Sequence, residues 1–109
     1  MIWLAALALA QATPDASKMV MIYGPEPSPS CGAWTSTRAN KAGTLLVGYQ
    51  EWVLGLVTGF IWNSPSFRAR GPDTEALFGW IDQYCATHPL DALLTAALGL
   101  SRELEKRAP

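Results

Sequence analysis

Two cysteines, one histidine and a scatter of carboxylates are the residues of this 109-residue chain that could do chemistry. Cys85 and His88 stand three apart, close enough on a helix to form a thiol–imidazole pair. A nucleophilic thiol needs a lowered pKa, which a helix N-terminus supplies. The pattern instead sets Cys85 near a helix C-terminus, where the dipole disfavours a thiolate. His88 then reads as a cap or a packed residue. Serine hydrolysis would have to use the same histidine, and no nucleophile-elbow pattern surrounds any serine. No Gly-rich phosphate loop follows a strand. Two cysteines and one histidine at these spacings do not compose a structural zinc set. The carboxylates are dispersed, with no pair in an apolar setting. The expectation is a protein that is not an enzyme, with no catalytic residue, no cofactor and no metal.

The cysteines therefore read as structural. Residues 1–12 carry no charged side chain, and Ile2, Trp3, Leu4, Leu7 and Leu9 form a short apolar run among alanines. Ala8-Leu9-Ala10 and Ala10-Gln11-Ala12 fit the small-x-small pattern of signal cleavage, after Ala10 or Ala12. The run is too short to span a bilayer, which takes about 20 residues. Its departure from the usual pattern is that no Lys or Arg precedes it. An even cysteine count behind an export-like N-terminus argues for one disulfide, Cys31 to Cys85, formed outside the cytoplasm. The competing reading is two buried free thiols in a cytosolic protein.

The elements that would position these residues are helical. Residues 13–30 read as a linker followed by an extended, proline-rich segment, with a short extended run at residues 18–23 and Pro25, Pro27 and Pro29 forbidding a helix. Ser30 is a natural N-cap for a first helix that Asn40 or Gly43 would end. Residues 44–62 form the longest apolar segment. Leu45, Tyr49, Trp52, Leu56 and Phe60 recur at helical spacing, flanked by Leu46, Val53, Val57 and Ile61. Gly48, Gly55 and Gly59 would weaken an isolated helix by about 1 kcal/mol each. Close approach of another helix would account for them, making this the central, most buried helix.

A membrane span with Gly55-x-x-x-Gly59 as a dimer face is the alternative. Glu51, at about +3 kcal/mol near mid-span, Gln50 and the glycines weigh against insertion. A single span would also put Cys31 and Cys85 on opposite sides of a bilayer. Pro65, Gly71 and Pro72 mark a loop that exposes Arg68 and Arg70. Asp73 caps a third helix with Leu77, Ile81, Tyr84 and His88 along one face and Phe78 and Cys85 beside it. Pro89 opens a last helix over residues 90–107, with Leu90, Leu94, Ala97, Ser101 and Leu104 as its buried stripe and Leu93 and Leu98 on its flanks.

Eight basic and nine acidic residues give a net charge of −1, with no basic stripe that would suggest nucleic acid. Half the residues are hydrophobic and five are tryptophan, a core-forming composition. The fold class is all-α: a small single-domain bundle of about four helices clasped by one disulfide, occupying residues 31–109.

Cys31-Gly32-Ala33-Trp34, then Trp52-Val53-Leu54-Gly55 with Gly59, then Trp80-x-x-x-Tyr84-Cys85-x-x-x-Pro89-Leu90 resembles the Rap/Tai family of small periplasmic proteins. Some members are immunity proteins against peptidoglycan-amidase effectors of type VI secretion. The resemblance covers about residues 23–104. The layout of helices held by one long disulfide is similar to the acid-stress chaperone HdeA in architecture and cysteine placement. The resemblance implies a periplasmic, all-helical protein with Cys31 bridged to Cys85, and carries no catalytic or binding residues. It implies a protein partner, with a cell-wall hydrolase as the candidate; a homodimer is an option, and the charge balance and the cysteine topology argue against nucleic acid and membrane. The alternatives are an HdeA-like chaperone that opens as its carboxylates neutralise in acid, or an accessory periplasmic domain.

Overall fold

The computed structural model describes residues 22–41, 43–64 and 71–107. The signal-peptide and linker readings over residues 1–21, and Pro65, Arg68 and Arg70, lie outside them. Four helices follow in order: α1 (Cys31–Asn40), α2 (Gly43–Trp62), α3 (Thr74–Thr87) and α4 (Leu93–Arg107). The chain is an all-helical four-helix domain with a Cys31–Cys85 disulfide, Cα atoms 4.7 Å apart. The bridge joins the first residue of α1 to the last turn of α3, and both cysteines are buried.

Local chemistry sets the first and third helices. The Ser30 side chain accepts from the Ala33 amide, and Asp73 accepts from Ala76. Glu75 adds a negative charge in the first turn of α3, against the positive end of the dipole. Lys41 closes α1 in the left-handed region (φ 48°), donating its amide to the Thr37 carbonyl. Gly43, also at positive φ (47°), lets α2 begin directly after this cap.

The start of α4 is set at long range. The amides of Cys31, Gly32 and Ala33 precede the first i→i−4 bond of α1, which Trp34 makes to Ser30, and so lack partners within the helix. Cys31 donates to the Asp91 carbonyl (2.7 Å), Gly32 to that of Pro89 (3.0 Å), Ala33 to the Ser30 side chain and Trp34 to the Ser30 carbonyl. In return the Leu93 amide donates to Pro29 (3.0 Å), and Ser30 pairs with Ala92 in an isolated antiparallel bridge. Residues 89–92 are thus committed to the neighbouring segment. They form a turn, not the first turn of a helix opened by Pro89. The expected helix over residues 90–107 therefore starts at Leu93, and Leu90, placed in its buried stripe, is 95% exposed.

The core joins Cys31 and Trp34 of α1, Tyr49, Val53 and Val57 of α2, Phe78, Ile81 and Cys85 of α3, and Leu93, Ala96, Ala97 and Leu100 of α4. The buried hydroxyls bond back into their own helices, Thr37 to Ala33 and Trp34, and Ser101 to Ala97. On α3 the buried line runs through Phe78, Ile81 and Cys85; Tyr84 is half-buried and His88 exposed.

The reading of α2 needs the larger correction. It packs chiefly against α4, also touches α1, and buries one narrow stripe, Tyr49-Val53-Val57. Leu45 and Val47 are more than half exposed, and α4 is the more buried helix. Among the described residues nothing stands within 4 Å of a methyl group placed on Gly48, Gly55 or Gly59. No described helix approaches them. The membrane-span alternative fails on the disulfide. Residues on either side of α2 are covalently joined, so they cannot lie on opposite faces of a bilayer.

Candidate functional site

Two polar clusters lie between α1, α3 and the α3–α4 turn. The first grows from the register of the bridged helices. Trp34 lies three residues into α1 from Cys31, and Asp82 three residues back along α3 from Cys85. Helical periodicity puts both on the inner face. The Trp34 indole N–H donates to Asp82 Oδ1 (2.7 Å). One turn further, Arg38 grips the same carboxylate with two groups, Nε to Oδ1 at 3.0 Å and Nη2 to Oδ2 at 2.6 Å. The hydrogen bond to Asp82 raises the Arg38 pKa above its already high ordinary value, burial opposes this, and the nearby charges of Asp82 and Glu75 add to the rise. The guanidinium also lies 5.8 Å from the ring centres of both Trp34 and Phe78, within cation–π range.

This cluster holds structure together. Asp82→Ala would strand the indole N–H of a fully buried tryptophan and remove the partner of a half-buried arginine. We expect a loss of about 1–3 kcal/mol, the usual cost of an unsatisfied buried donor, whereas Asp82→Asn, which keeps an acceptor, loses less. Urea unfolding of the two variants checks the order; equal losses would contradict the assignment.

The second cluster is an aromatic ladder on α3. Trp80 stacks on Tyr84 (centroids 5.6 Å), and Tyr84 on His88 (4.2 Å). Gly99 admits Trp80 against α4, since a methyl group there would lie 3.2 Å from the indole. His88 Nδ1 is 2.9 Å from both the Tyr84 carbonyl and Thr87 Oγ1. The Tyr84 hydroxyl donates to the Asp91 carboxylate in the α3–α4 turn. That hydrogen bond holds the phenol above its ordinary value near 10, and burial and the Asp91 charge push the same way. A raised phenol pKa stabilises the native state below about pH 10. The contribution disappears as pH climbs through the folded-state value. In an absorbance titration the phenolate signal lost in Tyr84→Phe should have its midpoint above 10, and Asp91→Ala should lower it. A midpoint indifferent to Asp91 would contradict the contact.

The Cys85 sulfur is bonded to Cys31, which closes it to a Cys–His nucleophile. Among the described residues no group of three His, Cys, Asp or Glu side chains could hold a metal.

The residues singled out by sequence fall into two sets. Cys31, Trp34, Cys85, Tyr84 and Pro89 converge around the bridge, with Trp80 extending the ladder. Trp52 stands apart on α2, where its indole N–H donates to the Tyr23 carbonyl (2.8 Å), and Gly55 and Gly59 lie on the open side of the same helix. An apolar groove runs here between Ile22, Tyr23, Trp52, Gly55 and Leu56. Sequence reasoning missed Arg38, Asp82 and Asp91. The signal for the first two was their distance in residues from each cysteine.

No family model matches the chain, and no match was found among curated proteins or solved structures.

Proposed function

We propose that this chain is a periplasmic, non-catalytic binding protein of the Rap/Tai type that neutralises a secreted peptidoglycan amidase by covering its active site. The observation that carries the reading is the convergence around one disulfide of the motif pieces that resemble the family. Cys31-Gly32-Ala33-Trp34 meets Tyr84-Cys85 and Pro89 through the sulfur bridge and the Gly32–Pro89 hydrogen bond. The bridge points to an oxidising compartment outside the cytoplasm, and in this reading the N-terminal run delivers the chain there. A protein that works by occlusion needs a scaffold that does not rearrange on binding, because rigidity removes part of the entropic cost of association. Sealed sulfurs, a braced α3–α4 turn and satisfied α1 amides supply that rigidity. A homodimer remains part of the proposal as a means of enlarging the surface.

The alternative, an HdeA-like acid chaperone, draws on one observation of its own: α2 carries exposed Leu45, Val47 and Trp62 that a loosened fold could offer to unfolded clients. The deciding experiment measures hydrolysis of peptidoglycan by purified type VI amidase effectors at neutral pH with and without this protein. Stoichiometric inhibition with a nanomolar Kd supports the immunity reading. No inhibition of any such amidase, together with suppression of client aggregation only near pH 2–3, overturns it in favour of the chaperone.

A further inference from the structure

We propose that the N-terminal half of α2 docks a second copy of this chain, the two helices running antiparallel about a two-fold axis level with Leu46. This gives a face to the homodimer included in the reading above and rests on that part of it alone. Lys41 and Glu51 are the only charged residues from position 41 to position 62. Both are exposed, and among the described residues neither enters an ion pair. Between them Leu45 is 52% and Val47 54% exposed. Gly48 is open as well: among the described residues, a methyl group there would meet nothing within 4 Å.

The order of these residues is self-complementary. A two-fold interface sets one surface against itself, so that residue i meets residue j and j meets i. In an antiparallel pair centred on position 46, each Lys41 stands level with Glu51 of the second copy. That carboxylate also meets the positive end of α2, whose first turn has no acidic residue of its own. Thr44 and Gly48 exchange in the same way. One turn apart, they lie on the side of the helix opposite the buried Tyr49-Val53-Val57 stripe, and both are small enough for the backbones to approach. At about 100° per residue, Leu45 and Val47 fall on the two edges of that face. Leu45 packs on its counterpart along one edge and Val47 along the other. A parallel pair would instead set lysine against lysine and glutamate against glutamate. Ten helical residues rise about 15 Å, and contact over that length falls short of the roughly 800 Å² per partner of a standard interface. The dimer is therefore a weak one, with a Kd on the order of 100 μM.

The test is sedimentation velocity of the whole chain over a concentration series that brackets this Kd, at low salt. The parent protein should pass from monomer to dimer across the series. Lys41→Glu and Glu51→Lys each turn two attractions into two repulsions, and each should raise the Kd about tenfold. Both sites are exposed, and thermal melts matching the parent show that the fold is intact. An equimolar mixture of the two variants should dimerise as the parent does, because both pairs across the mixed dimer again join lysine to glutamate. A chain that stays monomeric throughout would overturn the proposal. So would a dimer that neither reversal weakens, which would give self-association to another face. A mixture that fails to recover would overturn the antiparallel register and the proposal with it. No amidase enters the measurement, so inhibition of such an enzyme by a monomer would leave the proposed function standing while this interface falls.

Discussion

Replacing both cysteines, Cys31→Ala with Cys85→Ala, should destabilise the protein by about 4 kcal/mol. The bridge closes a loop across a sequence separation of 54, and the chain-entropy relation gives about 4 kcal/mol for a loop of that size. A domain of this length has about 5–15 kcal/mol in all. The change should lower Tm on the order of 15–30 °C, at roughly 4–8 °C per kcal/mol. Differential scanning calorimetry of the oxidised and double-alanine proteins reads the effect directly. The loss should fall on the whole cooperative unit, because α1 meets the rest of the domain largely through α3 and the α3–α4 turn. A Tm within a few degrees of the parent would show that the hydrogen bonds and packing around the bridge suffice without it.

The second large effect is at Trp34. It is the largest side chain with no exposed surface, and it meets Phe78 at a tilted 5.9 Å, Arg38 through its ring face and Asp82 through its N–H. Trp34→Ala removes the ring and leaves a cavity where α1 faces α3, and such truncations cost about 3–5 kcal/mol. It also withdraws one of the two side chains that donate to Asp82, leaving Arg38. Trp34→Phe separates the contributions: it keeps most of the apolar volume, loses the N–H, and should cost about 1–2 kcal/mol. Equilibrium unfolding in urea measures both. If the two variants lose the same amount, packing against Phe78 contributes little and the hydrogen bond to Asp82 carries the site.

Much of this arrangement is legible before any coordinates, because it follows from local chemistry and one covalent constraint. Ser30 and Asp73 announce the starts of α1 and α3, and both cap as their side chains dictate. The cysteine pair then fixes the register, because counting three and seven residues from each sulfur names Trp34 and Arg38 on one helix and Asp82 and Phe78 on the other. What sequence could not place depends on competition between distant groups. Pro89 is a sound signal for a helix start, but the carbonyls of residues 89 and 91 are taken by the amides of α1, so α4 waits until Leu93. On α2 apolar residues occur nearly all round the helix. Periodicity therefore could not tell the Tyr49-Val53-Val57 stripe from the Leu45-Trp52-Phe60 side, and the glycines pointed to a helical neighbour that no described element supplies.

A chain with two half-cystines has a single connectivity open to it. Whatever catalyst introduces the bond needs only to oxidise; it never has to proofread or reshuffle a wrong pairing. The partner thiols belong to opposite halves of the polypeptide, so Cys31 emerging first finds nothing within its own molecule to react with until Cys85 has followed. Maturation of this protein should therefore depend on a dithiol oxidase and be indifferent to loss of a disulfide isomerase.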